Sequence, residues 1–578
     1  MPQRTWLSFA PVSLLGAALA VPPPLHAQSS VLPSSVLLDT MSAELARASA
    51  NIGKDASDAR PPYYISYAAR DVHNVVIAAE QGALLTSTSD HSRLADIVVR
   101  VGDPALDNTH GPHRSSAVRT VPLPLEDDPR AIARALWRGT NTEYGTALQM
   151  YLQVKTETQV RAREEDTSPD FSRETASPSA AKVSEPSPPP IGISRDQWND
   201  RIRALSAIFR DYPHIYANYT VFSVRDQTGY FVSSEGARII APYRLARIVV
   251  FATTRADDGM DLFRAQTFEA RTPDGLPPQK EMEAAVRKIA ASLEALRTAP
   301  VTEPFDGPAV LSGRASAVFF HEVLGHRLEG QRQRGDEEGQ TFTKDLGKPI
   351  LPAFISVADD PTVAAFNGAS LSGYYTYDDE GQRAQKVQLI ENGVLKTFLM
   401  SRLPIASVSS SNGHGRSQAG HMPTGRQGNL IVTSTKTVPD STLRQMLIDE
   451  AKKQNKPYGL YFDDISSGFA VTTRNAPQAF QVIPLVVYRV YTDGRPDELV
   501  RGVSIVGTPQ AALNRIVATG DKPEIFNGEC GAESGVIPVS AVAPAMLVSE
   551  IETQREQQGT VRPPILPPPT AAKAGEGN

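Results

Sequence analysis

One short segment, residues 319–330, constrains the fold of this chain more than any other. It reads FFHEVLGHRLEG and places His321, Glu322 and His326 among apolar neighbours. Imidazole nitrogens are good zinc ligands, and a carboxylate beside them can accept a proton from a metal-bound water. The two histidines are five residues apart, whereas a helical metal motif usually spaces them by four. Five residues turn a regular helix by about 500°, so the two rings would point roughly 140° apart.

Both rings can meet one metal only if the helix ends between them or is locally widened. A π-type turn would bring them together, and Gly325 is the residue that most easily absorbs such a distortion. The alternative is a pair of ordinary core histidines. Two histidines and a glutamate this close are harder to explain that way in a chain with ten histidines, but the spacing alone leaves both interpretations open.

Composition excludes some classes of protein. The chain has 578 residues, 40% hydrophobic and 21% charged, which is typical of a globular protein with two to four domains. Its net charge of −6, without a basic run, argues against a nucleic-acid-binding surface. After the first residues, no stretch is long and apolar enough to predict a membrane span.

The first 27 residues predict a signal peptide. Arg4 supplies the positive charge, residues 6–21 are apolar, and residues 25–27 resemble a cleavage site that would leave Gln28 first. Cleavage after Ala20 or a membrane anchor are the alternatives, but three consecutive prolines interrupt the apolar run. We therefore expect an exported protein, periplasmic or secreted.

The single cysteine, Cys530, excludes an intrachain disulfide. A lone thiol in an oxidising compartment is a hazard unless it is buried or occupied. From the residues alone, Cys530 is either a small buried hydrophobe or a metal ligand.

The periodicity predicts an α+β fold. Residues 28–300 form a domain of helices on a mostly antiparallel sheet, with a Ser/Pro-rich disordered insertion at about 163–190. Residues 301–554 form a strand-rich domain that carries the metal helix, and residues 555–578 form a disordered, proline-rich tail. Strands are expected at 63–67, 75–78, 97–101, 219–222, 229–232 and 246–251, and helices at 35–50, 128–154, 197–209 and 280–296.

Several ordered blocks in the second half resemble the TldD/PmbA family of metallopeptidases. They are Gly307–Leu311, the segment 321–330, Asp378–Gly381, Leu389–Leu395, Gly459–Tyr461, Cys530–Gly531 and Val536–Val539. The first half shares only the general pattern of helices and strands. The predicted signal peptide is a departure from the best-known, cytoplasmic members.

The resemblance implies a zinc-dependent peptidase that hydrolyses peptides or unfolded protein segments. By position, His321, His326 and Cys530 are the zinc ligands, and Glu322 is the general base that acts on a zinc-bound water. It also implies an oligomer with a family homologue, either a homo-oligomer or a hetero-oligomer. The strand-rich second half predicts that substrate binds extended at a sheet edge. The alternatives are a non-catalytic binding or scaffolding subunit and a hydrolase of non-peptide amides.

Other polar residues carry weaker predictions. The Gly-rich loop 411–428 holds His414, Arg416, His421 and Arg426, and is either a substrate-binding loop near the metal or a solvated turn. The acids 378–380 are interpreted as a solvated turn, because Gly381 follows them. Glu329 either orients a histidine ring or is a surface acid.

Overall fold

The structure is a computed structural model that describes residues 35–54, 60–160, 167–173, 182–185, 191–334, 338–474, 476 and 479–556. The predicted signal peptide therefore lies outside the described residues, as does almost all of the predicted tail. Within the described part of the chain, no helix is long and apolar enough to cross a membrane.

The first half is a sheet with helices on one face. Its strand order is β5-β2-β1-β7-β8-β6, with β9 also paired to β8. The helices are α1 (Val36–Asn51), α2 (Pro129–Val160), α3 (Arg195–Ala207) and α4 (Gln279–Thr298). The strands are β1 (Tyr64–Glu80), β2 (Ala83–Arg100), β3 (Gly102–Asp103), β4 (Leu106–Asp107), β5 (Val118–Pro122), β6 (Lys182–Ser184), β7 (Ala217–Ser233), β8 (Arg238–Arg255) and β9 (Asp261–Ala270).

Two pairs of predicted strands turn out to be single long strands. The pieces at 63–67 and 75–78 both belong to β1, and those at 219–222 and 229–232 both belong to β7. The residues between the predicted segments are polar. Because an apolar pattern identifies only the packed ends of each strand, it predicted two short strands in place of one long strand. Pairing on both sides keeps the polar middle of β1 extended.

The helices cover the two ends of this sheet separately. One apolar cluster joins α1 and α2 to one end of β1, β2 and β7, and a second joins α3 and α4 to the other end of β1, β7 and β8. Each cluster takes alternate residues of the strands, as expected for a sheet with helices on one face. The opposite face of the sheet lies toward the second half of the chain, where Arg70 pairs with Asp379.

The second half is built on a twelve-stranded mixed sheet, ordered β10-β20-β21-β23-β25-β18-β11-β14-β15 with side branches. Its helices are α5 (Gly313–Val323), α6 (Asp440–Lys453) and α7 (Pro509–Leu513). Its longer strands are β10 (Asp306–Leu311), β11 (Ile355–Asp359), β14 (Val387–Glu391), β18 (Asn429–Ser434), β20 (Tyr458–Ala470), β21 (Phe480–Tyr491), β23 (Val503–Gly507), β24 (Ile516–Ala532) and β25 (Gly535–Arg555). The short strands are β12 (Ala365–Phe366), β13 (Ala369–Ser370), β15 (Val394–Leu395), β16 (Gly415–Arg416), β17 (Thr424–Gly425), β19 (Thr437–Val438) and β22 (Glu498–Val500).

This arrangement confirms the predicted α+β fold, with a strand-rich second half that carries the helix of the histidine motif. Helix α5 packs against β10, β20, β21, β24 and β25, and all but one of its residues are buried. A hairpin forms at Asn392 and Gly393, between β14 and β15, and both residues have positive φ, as is typical of an Asn-Gly turn. The break between the two sheets falls between Thr298 and Asp306, although both sheets belong to one compact unit.

Parts of the predicted disordered insertion are ordered and packed, which corrects that prediction for them. Phe171 is 3% exposed, and the Arg402 guanidinium stacks over its ring at 4.0 Å. Residues 182–184 form β6, which pairs with β8 in parallel. The Ser/Pro-rich composition concealed these short anchored pieces, and the remaining insertion residues lie outside the described chain.

Candidate metal centre

The helix that carries the motif ends between the two histidines. The Oγ of Ser312 caps its first turn by accepting the Ala315 N–H at 3.1 Å. Helix α5 stops at Val323, Leu324 has φ −111° and ψ −53°, and a 3₁₀ helix runs from Gly325 to Leu328. Of the two ways to bring the rings together, the chain therefore uses helix termination and not a π-type turn.

Gly325 matters for a different reason from the one expected. Its φ is not among the positive values, so no unusual backbone conformation requires glycine there. Instead, a Cβ at this position would stand 2.0 Å from Oε1 of Gln427. Glycine is needed because the 411–428 loop packs directly against the turn between the histidines.

Strand β24 brings Cys530 to the same place from the far end of the chain. Its Sγ lies 3.3 Å from Nε2 of His326. One ligand atom each from His321, His326 and Cys530 lie within 4.8 Å of one another, and the three residues are 3%, 8% and 7% exposed. The imidazole rings are 5.0 Å apart at 74°. Three residues separated by up to 209 positions therefore form one buried cluster of nitrogen and sulfur donors.

The electrostatics of the cluster favour a thiolate. Burial opposes the charged form of each group, yet the neighbouring imidazoles hold the pKa of Cys530 well below its ordinary value. Burial likewise opposes charge on His326, but the Cys530 sulfur and the Glu329 carboxylate hold its pKa well above the ordinary range. The sulfur is thus in the protonation state that binds a metal.

Glu329 lies behind His326, completely buried, and so is not a surface acid. Its Oε1 is 3.2 Å from Nδ1 of His326, its Oε2 accepts from Nε of Arg332 at 2.9 Å, and Nε of Arg426 is 3.4 Å away. Although burial opposes ionisation, these cationic neighbours lower the pKa of Glu329 to about 2. A carboxylate there holds one proton of His326 on Nδ1, while Nε2 faces Cys530, where a metal ion would replace the second proton.

Glu322 faces the cluster from the side away from Glu329. One carboxylate oxygen lies 3.8 Å from Nε2 of His326, and the residue is 9% exposed. Its side chain packs over Gly468 of β20, where a Cβ would come within 2.8 Å of the Glu322 Cγ. Glu322 is therefore close enough to act on a molecule bound at the cluster, without belonging to the donor set.

The donor set fits zinc. Nδ1 of His321 is buried and has no hydrogen-bond partner among the described residues, which is costly unless the atom has another use. Imidazole and thiolate are both ligand types that zinc prefers, and three protein ligands leave a fourth position open, as in catalytic zinc sites. His321, His326 and Cys530 would hold the ion.

The residues predicted to bind substrate divide into different environments. His414 is fully buried, with Nε2 3.2 Å from Oδ1 of Asp359. Arg416 donates to the carbonyls of Gln427 and Pro538 at 2.9 and 2.8 Å. The loop is therefore packed rather than solvated, and neither residue joins the metal ligands.

Arg416 instead lines a cavity of about 480 Å³ on the other side of the β24–β25 hairpin, between that hairpin and the N-terminal sheet. Glu529 lines it too, whereas its neighbour Cys530 points to the metal cluster, because successive strand residues face opposite ways. His421 is exposed, with Nδ1 3.3 Å from the Glu533 carbonyl oxygen.

Sequence reasoning missed the residues that support the cluster. Arg426, noted only as a loop residue, donates to the Cys530 carbonyl at 2.8 Å. Arg332 connects Glu329 to Glu533, and Gln331 donates to Glu533 at 2.7 Å. The one available signal was that Arg332 follows Glu329 by three residues in a segment already rich in functional side chains.

The acids 378–380 are a turn, but not a solvated one. Asp378 and Glu380 are 7% and 9% exposed, and accept the N–H groups of Gly415 and Arg402 at 2.8 and 2.6 Å. Burial, together with the nearby carboxylate of Glu380, raises the pKa of Asp378 well above its ordinary value. These acids hold the base of the 411–428 loop, a long-range role that a run of three acids does not reveal.

Comparison with known proteins places this centre in a family. Residues 305–555 match the model of the PmbA/TldA metallopeptidase C-terminal domain. A metalloprotease of Archaeoglobus fulgidus is 30% identical over 239 residues, and a zinc metalloprotease TldD homologue of Saccharolobus solfataricus is 24% identical over 250. These matches cover 41% and 42% of this chain, and the chain spans about half (51%) of each relative's length.

The fold similarity extends further along the chain. The crystal structure of TldE from Thermococcus kodakarensis superposes with a TM-score of 0.57 at 12% identity, covering 90% of this chain and all of that one. At this identity the superposition establishes the fold alone. The matched C-terminal domain contains His321, Glu322, His326 and Cys530, so the centre lies in the part of the chain, residues 305–555, that matches the PmbA/TldA metallopeptidase C-terminal domain.

Proposed function

We propose that this protein is a zinc-dependent peptidase that hydrolyses peptide bonds in peptides and unfolded protein segments. The observation that carries the proposal is the convergence of His321, His326 and Cys530, with the Glu322 carboxylate beside them. The names of the relatives, which are metalloproteases, support the same reaction class.

When bound, zinc supplies a Lewis acid that polarises a carbonyl oxygen and lowers the pKa of a coordinated water to about 7. The chain's own residues prepare the place for it. Glu329 keeps the His326 proton on Nδ1, so that Nε2 presents its lone pair to the ion. Cys530 contributes the thiolate, and its negative charge balances part of the charge of the cation.

Glu322 transfers protons. Because its carboxylate lies 3.8 Å from Nε2 of His326 and is not a ligand, it can accept the proton of the attacking water and deliver it to the leaving amine nitrogen. General acid–base catalysis of this kind contributes about 10²–10⁴-fold to the rate. The buried surroundings of the carboxylate limit competition from bulk solvent.

The edge of β20 offers a place for an extended substrate. Residues 464–470 pair with β21 on one side, while β10 pairs only with residues 460–462 on the other. In the described chain, no third strand pairs with residues 464–470. This stretch includes Gly468 against Glu322, so a peptide that adds there would place its backbone beside the carboxylate. Strand addition requires a free backbone, which selects unfolded segments.

The test is digestion of a mixture of unfolded peptides, with products identified by mass spectrometry. We expect cleavage that a chelator abolishes and added zinc restores. A folded domain with a disordered tail should be cut only in the tail, and N-methylated peptides should be cut poorly, because they cannot add to a strand edge. A zinc-loaded protein that cuts none of the peptides would contradict the proposal and favour the alternative, a non-catalytic binding or scaffolding subunit.

We also infer that the working form is an assembly with a second family chain. The resemblance implies such a pairing, and the similarity to a TldE structure agrees with it, although it concerns the fold alone. Light scattering gives the molar mass, and hence the number of chains in the assembly, for the protein alone and for the protein mixed with a family homologue from the same source. A monomer that is fully active would contradict it.

Export remains part of the proposal. The charged, apolar and small-residue order of residues 1–27 predicts a mature chain that begins at Gln28. N-terminal sequencing of the periplasmic or secreted protein tests this, and an active cytoplasmic protein that retains Met1 would contradict it.

A further inference from the structure

We propose that Asp71, His73 and His91 form a second metal site, for a divalent cation of the zinc type, on the N-terminal sheet. One ligand atom from each of these residues lies within 4.8 Å of the others. The site is separate from the metal centre of the second half in sequence and in sheet, and it does not depend on the proposed peptidase activity.

The register of the strands produces the cluster. His73 of β1 and His91 of β2 stand directly opposite each other, and Asp71 precedes His73 by two residues. Directly opposite residues point to the same face of a sheet, and so do residues two apart on one strand. Three ligand side chains on two adjacent strands therefore lie on the same face of the sheet, next to one another.

This face is the one that the helices cover, but the cluster lies between the helices. On one side, Ala69 and Ala95 belong to the apolar cluster under α1 and α2, and on the other, Ile77 belongs to the cluster under α3 and α4. A polar strip that also contains Asp226 and Arg244 crosses the sheet between the two. The ligands are therefore reachable from solvent, at a place where the backbone is held on both sides.

The side chains are already close together. The two imidazole rings stack with centroids 3.9 Å apart and planes at 15°, and Nε2 of His91 lies 2.6 Å from Oδ1 of Asp71. A metal cation can replace the proton that lies between Nε2 of His91 and Oδ1 of Asp71. The exposed ring of His73 needs only a side-chain rotation to direct a nitrogen at the same point, because no other described residue hydrogen-bonds to it.

The local charge favours a cation. On and beside this strip, the described residues include three carboxylates, those of Asp71, Asp127 and Asp226, and the two guanidinium groups that pair with them, those of Arg93 and Arg244. Arg93 divides its charge between Asp71 and Asp127, so Oδ1 of Asp71 remains available to a metal. His91 is 29% exposed and Asp71 14%, which leaves room for water at an open coordination position.

The experiment uses the full chain carrying Cys530→Ala, which removes the sulfur ligand of the other centre. This protein is freed of metal and titrated with Co²⁺ and then with Zn²⁺. We expect one equivalent to bind, with a visible d–d spectrum and no sulfur-to-metal charge-transfer band. The protein with Cys530 intact should bind two equivalents and show that band.

The matched variants are His73→Asn, His91→Asn and the control His113→Asn. His113 is also in the N-terminal half but pairs with Glu157, away from the strip. In the Cys530→Ala protein, each of the first two variants should weaken metal binding at least tenfold, and the control should not. His73 is exposed, so its replacement should leave circular dichroism unchanged. The proposal is overturned if the Cys530→Ala protein binds no metal, or if folded His73→Asn protein binds it as tightly as the parent.

Discussion

The described part of the chain holds two clusters of metal-binding side chains, which share little beyond a pair of histidines each. His321, His326 and Cys530 come from a helix end and a distant strand, and are at most 8% exposed. Asp71, His73 and His91 come from two adjacent strands and are partly open to solvent. The first cluster depends on the whole C-terminal fold, whereas local strand pairing alone produces the second. We therefore expect the first to bind metal tightly and support catalysis, and the second to bind metal more weakly.

Two buried glutamates, Glu329 and Glu143, differ in their charged neighbours. Glu329 has His326, Arg332 and Arg426 around it and a pKa of about 2. Glu143 on α2 is 2% exposed, but its only ionic partner among the described residues is Arg119, and burial raises its pKa to about 7. Burial favours the neutral form of a carboxyl group, whereas a shell of cationic neighbours keeps a buried carboxylate ionised and makes it a reliable partner for a histidine.

Cys530→Ala should have the largest effect of the substitutions that test this comparison. We expect the protein to lose one equivalent of zinc and its peptidase activity, because two histidines alone leave the ion a protein ligand short. Circular dichroism should stay near that of the parent, since the side chain is small. The zinc content per chain, measured by mass spectrometry, tests this prediction. A folded variant that retains the zinc of this centre would show that the third ligand is another residue.

Glu329→Gln should weaken metal binding at this centre by about 10–100-fold, because the amide is a poorer acceptor for the Nδ1 proton of His326. Glu533→Gln is the matched control. Glu533 also contacts Arg332, but its side chain is 41% exposed and does not touch a histidine. Competition with a chelator of known affinity measures both variants, and equal affinities would show that Glu329 only fills space.

Glu143→Gln should have the smallest effect and should depend on pH. Because the pKa of Glu143 is raised from 4.5 to about 7 in the folded chain, protonation stabilises the fold, and this stabilisation is lost as pH rises through that range. The variant should therefore exceed the parent by about 1–2 kcal/mol in stability at pH 8, and the difference should vanish near pH 4.5. Urea unfolding at both values tests this, and a difference independent of pH would contradict it.

Periodicity and turn chemistry were enough to predict the class of fold and most helices. Helix α1 and helix α4 start within one residue of their expected positions, because apolar spacing is a local signal. Strand length was not predictable in the same way. The polar centre of β1, from Arg70 to Asn74, is extended because two neighbouring strands bond to it, and neither neighbour is visible in a local window.

In the candidate centre, too, the residues of a local motif could be predicted, whereas residues that reach the centre through long-range packing could not. The compact motif identified His321, Glu322 and His326, and the resemblance added Cys530, which spacing could not connect to residues 204 positions earlier. Arg426 and Gln427 were beyond local reasoning, because their contacts with the centre depend on how the 411–428 loop folds back. The role of Gly325 was inferred from backbone freedom, but it arises from that same packing.

The most direct test of the central claim measures zinc content and peptide hydrolysis together in Glu322→Gln. The account predicts one full equivalent of zinc at the centre and a rate lower by about 10²–10⁴-fold on unfolded peptides, because the amide cannot accept a proton. Loss of that zinc along with activity would make Glu322 a ligand. An unchanged rate would show that the proton leaves by another route, and either result would contradict the role assigned to this carboxylate.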